Sequence, residues 1–187
     1  PLDVPFGEDN WRVAQSLNMI ARTIAARDIL DLQRQTFFIQ FGGWDHHDEV
    51  LMSQTSMFSA LDSALASFQD SLDQLGLADS VTTFIISDFG RTLGSNGNGT
   101  DHAWGGNVFA LGGDVNGGDV YGRYPSISLS DPSDLGGGIF VPELSADEYF
   151  AELAMWFGVP AQDLPLILPN IGNFYDINSG QSPIGFI

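Results

Sequence analysis

The chain holds three histidines, and all of them sit beside carboxylates in glycine-bearing segments. His46 and His47 lie in "GGWDHHDEV", Gly42 to Val50, and His102 lies in "GTDHAWGG", Gly99 to Gly106. A third polar segment, "SDFGRT", Ser87 to Thr92, adds Asp88 and Arg91. Imidazole nitrogen and carboxylate oxygen suit a divalent cation: Zn²⁺ or Mn²⁺ first, with Mg²⁺ or Ca²⁺ as alternatives. The chain has no cysteine, so a thiolate site is excluded. Asp45 and His47 are two residues apart and would point the same way in an extended loop. His46 would then point away, toward an outer carboxylate or solvent. A metal-bound imidazole usually donates its other N–H to a carboxylate, and Asp48, Glu49 and Asp101 are the candidates. Arg91 is a fixed planar cation suited to a phosphate or sulfate ester, with Gly90 letting backbone come close. Plainer readings stand beside these. Adjacent histidines in a polar loop are often only solvated, Asp88 could cap a turn or pair with Arg91, and Asp101 could be a turn residue.

Elements must carry these segments. Trp11, Ala14, Leu17, Ile20, Ala21 and Ile24 give a helical pattern from Glu8 to about Ala26. "TFFIQF", Thr36 to Phe41, reads as a buried strand ended by two glycines. Phe58, Leu61, Leu65, Phe68, Leu72 and Leu75 predict one core-facing face of a long helix that Gly76 stops. "VTTFIIS", Val81 to Ser87, and "NVFALGG", Asn107 to Gly113, read as further strands. Ala146 to Gly158 reads as a helix with Ser145 as N-cap and Gly158 as stop. Gly94 to Gly106, Gly112 to Gly122 and Asp131 to Gly138 read as glycine-rich loops, and the stretch after Ile177 as a loosely held extension. Strands alternating with helices imply an α/β sheet covered on both faces. Ligand sites in such sheets gather beyond the carboxyl ends of the strands. "WDHH" and "SDFGRT" follow strands there, and "GTDH" would have to fold back to the same rim.

Composition narrows the partners. Twenty-four acids against six bases, every one arginine, give a net charge of −18. Such a surface repels nucleic acid and anionic membranes but not divalent cations. The 43% hydrophobic content fits a globular chain of 187 residues. No apolar run reaches the roughly 20 residues that span a bilayer. The first residues have neither the basic start nor the apolar stretch of a signal peptide and lack an initiator Met. They read as a trimmed end.

"FFIQFGGWDHH", "LDSALASFQDSLDQLGLADSVTTFIISDFGRT", "GTDHAWGGNVFALGGDVNGGDVYGRYP" and "LAMWFGV" together resemble a family of exported bacterial proteins, the domain of unknown function numbered 1501. The resemblance runs from about Trp11 to Tyr175. It places the chain with the alkaline phosphatase and sulfatase superfamily and implies a three-layer α/β/α sandwich with a two-metal site. On that resemblance Asp45, His47 and His102 look like the ligands of one metal. Asp88 looks like the aspartate shared with a second. Phe89 stands where the superfamily commonly has a histidine ligand. The superfamily's Ser or Thr nucleophile lies on an earlier strand with no counterpart here. The resemblance therefore implies one domain over 1–177, the C-terminal part of a fold missing its N-terminal side, followed by a tail at 178–187. It implies a metal-dependent hydrolase of phosphate or sulfate esters, acting on an anionic ester through Asp88 and Arg91, or a remnant of one. The alternative is a non-catalytic exported module that binds metal or assembles with partners, an upstream chain segment or further copies of itself. A third reading uses Trp44 and Trp104 as carbohydrate platforms, against their commoner role in packing.

Overall fold

The computed structural model describes residues 12–128 and 131–187. Trp11 and the start of the first expected helix lie outside them. The chain divides into two compact units. The first comprises Pro1–Thr82 with Ser95–Asp101; the second comprises Thr83–Gly94 with His102–Ile187.

In the first unit, helix α1 (Arg12–Ala25) buries Val13, Ala14, Leu17, Ala21 and Ile24. These recur every three or four residues, so they form one apolar stripe. After a single turn of helix, α2 (Arg27–Leu30), the chain reaches α3 (Val50–Leu75), which packs on α1. The buried face of α3 is Met57, Ala60, Leu61, Ala64, Phe68, Ser71 and Leu72. It is rotated from the expected one. Phe58 is half exposed and rests on Trp44, at 4.8 Å between ring centroids. The small residues Ala60 and Ala64 join Ala14 and Ala21 in the core instead. Interaxial distance depends on the side chains at the contact, so small residues on both helices favour this face for close packing. The Ser71 hydroxyl, fully buried, donates to the Ser67 carbonyl at 2.8 Å. Gly76 ends the helix as expected, in the left-handed region at φ 66°. Its N–H and that of Leu77 return to the last carbonyls.

Thr36–Phe41 departs from expectation. It belongs to no ladder among the described residues, and Phe38 is 81% exposed. β-branched and aromatic residues favour extended backbone, but a strand also needs a neighbour to take its N–H and C=O groups.

In the second unit, β1 (Thr83–Phe84) pairs antiparallel with the later strand Ala110–Leu111, in the register Thr83 to Leu111 and Phe84 to Ala110. Both are shorter than the apolar runs that contain them. A second two-stranded sheet joins β2 (Gly90–Ser95) to β3 (Thr100–Ala103), so Ala110–Leu111 is β4. The glycine-rich stretch expected to be loop is therefore largely hairpin. Its tip, Ser95–Asp101, belongs to the first unit. Helix α4 (Ala146–Trp156) begins with a capping box. The Ser145 hydroxyl accepts from the Glu148 N–H at 3.1 Å, and the Glu148 carboxylate accepts from the Ser145 N–H at 2.8 Å. Ala151 of α4, Leu164 of α5 (Leu164–Ile167) and Ile171 form a fully buried cluster. Elsewhere on α4, burial pushes the Tyr149 phenol up to about 12. The phenol stays protonated and donates to the Phe109 carbonyl at 3.2 Å. Residues 178–187 are not loosely held: Phe186 is buried and the backbone around it is bonded to α4.

Candidate metal centre

The Gly42–Glu49 loop is shaped by tight turns. The His46 N–H donates to the Trp44 carbonyl and the His47 N–H to the Asp45 carbonyl. Glu49 takes a left-handed conformation, φ 49°, just before α3 starts. The hairpin tip braces this loop. The Val50 N–H donates to the Asn98 carbonyl at 3.2 Å and the Thr100 N–H to the His46 carbonyl at 3.4 Å. The Asn96 side-chain amide donates to the His47 carbonyl at 3.2 Å, and that of Asn98 donates to Asp48. Gly99 is what allows the approach. A Cβ there would stand 2.3 Å from the His47 carbonyl carbon and 2.7 Å from the Asp48 nitrogen. Both are backbone atoms and cannot swing aside. Gly99→Ala is therefore expected to lift the tip from the loop. The NMR amide signals of His46 to Val50 should shift far more than those of α1.

The braced loop presents His47 between two carboxylates. Its Nε2 is 3.0 Å from Asp45 Oδ1 and its Nδ1 is 3.3 Å from Asp101 Oδ1. A neutral imidazole has one N–H and can donate to only one of them. Two states meet the geometry. An imidazolium donates to both carboxylates. Alternatively, a neutral ring donates Nδ1–H to Asp101, and the Nε2 lone pair and Asp45 share a cation. Two ligands each roughly 2 Å from one ion stand roughly 3 Å apart, so the 3.0 Å separation fits the second state. The donor set, carboxylate oxygen and imidazole nitrogen, fits a hard or borderline divalent ion. Of the acids open to the outer role, Asp101 takes it; Asp48 instead accepts from Asn98 and from the Glu49 N–H.

His46 differs from expectation. Its ring is buried, edge-on to Trp44 at 6.4 Å, and faces neither solvent nor a carboxylate. Trp44 packs against Phe41, at 5.4 Å, and Phe58, which is a packing role.

The second unit carries the other candidates. His102 follows Asp101 directly on β3 and is exposed. Phe89 stacks on its ring, with centroids 4.0 Å apart and planes within 13°. The Arg91 guanidinium lies over the same Phe89 ring at 5.2 Å. Asp88 is exposed in the turn before β2, where the Ser87 hydroxyl closes onto the Phe89 carbonyl at 2.9 Å. Gly90 makes room for protein backbone rather than for a ligand, since a Cβ there would overlap the Gly105 carbonyl oxygen at 1.8 Å. Trp104 is 72% exposed.

Asn96, Asn98 and Gly99 escaped sequence reasoning. The signal was present: "SNGNGT" carries two Asn-Gly steps, the commonest mark of a tight hairpin turn. Among the described residues no helix is long and apolar enough to cross a membrane. Comparison with curated proteins and with solved structures gives no match. The model of one family, "Protein of unknown function (DUF1501)", matches residues 6–142, which include both histidine segments and the hairpin that braces the first. The chain belongs to the DUF1501 family.

Proposed function

We propose that Asp45 and His47 hold a divalent cation, Zn²⁺ or Mn²⁺, with His102 as the further ligand that the superfamily resemblance implies, and that the protein is a metal-dependent hydrolase of phosphate or sulfate esters. One observation carries the reading: an exposed imidazole held at both ring nitrogens by carboxylates, at 3.0 and 3.3 Å. That is the carboxylate–histidine arrangement which fixes the tautomer of a metal ligand. Asp45 and His47 each offer one ligand atom, and both are exposed to an entering ion. A bound cation supplies Lewis-acid chemistry, polarising the ester and making a bound water more acidic. Asp101 holds the Nδ1 proton of His47 so that Nε2 stays a lone pair. Arg91 pairs with the anionic ester oxygens and binds them in a fixed orientation. Asp88 is proposed as a further carboxylate ligand. The wider reading keeps the superfamily resemblance: an alkaline phosphatase-like α/β/α sandwich in an exported bacterial protein.

Elemental analysis of protein purified without chelator tests the premise, and hydrolysis of p-nitrophenyl phosphate and sulfate with added Zn²⁺ or Mn²⁺ tests the chemistry. Bound metal and ester turnover that both fall in Asp88→Ala are expected. Protein that takes up neither ion sinks the reading. Asp101→Asn keeps the shape but weakens the hold on the His47 proton, and should cost roughly 10- to 100-fold in metal affinity, read by competition with a chromogenic chelator.

A second reading has its own observation. Phe89, which packs on His102 at 4.0 Å, stands where the superfamily resemblance implies a second-metal histidine, and phenylalanine cannot ligate. A module that binds metal without turnover fits that replacement. Metal uptake with no hydrolysis of either ester would favour it.

A further inference from the structure

The tip of the β2–β3 hairpin brings together the parts of an intramolecular acyl transfer. The chain has three Asn–Gly steps: Asn96–Gly97, Asn98–Gly99 and Asn116–Gly117. At such a step the glycine nitrogen can attack the asparagine side-chain carbonyl, because no Cβ on the glycine obstructs the closing ring. Three things favour the attack: a donor on the oxygen that becomes negative, an acceptor that can pass on the nitrogen's proton, and a glycine free to turn.

Asn96–Gly97 has all three. The Gly99 N–H donates to Asn96 Oδ1 at 2.9 Å, where it polarises the carbonyl and would hold the oxyanion. The Gly97 N–H donates to Ser95 Oγ at 3.0 Å, and that hydroxyl donates onward to the Gly99 carbonyl at 3.1 Å. Gly97 is exposed and sits at φ 124°, and a Cβ on it would meet nothing within 4 Å. The other two steps lack these parts. The Gly99 N–H is held by Asn96, and Gly99 is buried against the His47 backbone, so it cannot turn toward Asn98. Among the described residues nothing donates to Asn116 Oδ1. The Gly117 N–H faces the Val115 carbonyl at 2.8 Å, an acceptor that cannot relay a proton.

We propose that Asn96–Gly97 is a self-modifying site, at which the chain deamidates itself and unfastens the hairpin tip from the His47 loop. The Gly97 nitrogen bonds to Asn96 Cγ and gives up its proton through Ser95 to solvent. The Cγ–Nδ2 bond breaks, and ammonia leaves with a proton taken from water in return. Water then opens the succinimide to aspartate or isoaspartate. The net change consumes one water and exchanges an amide for a carboxylate, with no redox step. The Asn96 amide donates to the His47 carbonyl at 3.2 Å and to Asp101 Oδ1 at 3.3 Å. A carboxylate in its place donates nothing and sets oxygen against oxygen, so both ties are lost.

The full chain is aged at mildly alkaline pH, folded or in urea, and its peptides are mapped by mass spectrometry for the mass gain of amide-to-acid exchange. In the folded chain Asn96 should convert roughly tenfold or more ahead of Asn98 and Asn116, and ahead of its own rate in urea. Urea should bring the three steps to similar rates. Ser95→Ala should slow conversion of Asn96 roughly tenfold and leave Asn116 unchanged. The aged chain should show the NMR amide shifts of His46 to Val50 that Asn96→Asp shows, with α1 undisturbed. The proposal is overturned if Asn96 converts no faster in the folded chain than in urea. It is also overturned if Ser95→Ala, with its α1 signals intact, keeps the parent's rate. An aged chain modified at Asn96 whose His46 to Val50 signals stay in place overturns the unfastening.

Discussion

His47→Ala is expected to release the bound cation and to abolish ester hydrolysis together. His47 is the residue whose ring touches both Asp45, at 3.0 Å, and Asp101, at 3.3 Å. Removing it takes away a ligand and leaves two carboxylates without their common partner. Loss of an outer partner already costs roughly 10- to 100-fold in metal affinity, and loss of a direct ligand should exceed that. Isothermal titration with Zn²⁺ reads the effect. His46→Ala is the contrast. Its ring lies against Trp44 in the interior, so its loss should lower stability and leave the titration close to that of the parent. Equal losses in the two variants would mean that the loop as a whole, not the His47 ring, governs binding.

Leu72→Ala is expected to destabilise the first unit by about 2–5 kcal/mol, the usual range for a fully enclosed leucine. Leu72 has no exposed surface and lies on the face of α3 that packs with α1. For a chain of this size the thermal midpoint should fall by roughly 2–4 °C per kcal/mol. The variant also reports on the metal. A ligand at a hundred times its dissociation constant stabilises by about 2.7 kcal/mol. Zn²⁺ should therefore restore much of the lost midpoint in Leu72→Ala. It should restore none of it when His47→Ala is present as well. A cation that raises both variants alike would be acting through the acidic surface in general.

The structure explains which parts could be read in advance. Helix α3, the glycine that ends it and the Ser145 cap depend on residues within four positions of each other, so local pattern sufficed for them, though not for the face that α3 buries. The Asp45–His47 pair was legible for the same reason. The hairpin was not, because its glycines look like loop until their neighbours are known. Gly90 faces the Gly105 carbonyl, Gly94 that of Gly137, and Gly99 the backbone of His47. The choice of Asp101 over Asp48 and Glu49 as the His47 partner likewise needs the tip folded onto the loop. Nothing within α4 marks Glu152 for burial; the returning backbone of residues 184–187 supplies the N–H groups that meet its carboxylate. Thr36–Phe41 failed in the opposite direction, since its composition reports a preference for extension and says nothing of a neighbour.

That last segment bears on how the protein behaves in concentrated solution. Phe38, 81% exposed, and the half-exposed Phe37 give it an apolar surface on which copies can associate. Here a charge of −18 supplies the opposing force. Repulsion of that kind reaches about 10 Å at 0.1 M salt and about 3 Å at 1 M. Salt that screens this charge is therefore expected to lower solubility before it unfolds the chain, read by light scattering and circular dichroism over rising NaCl.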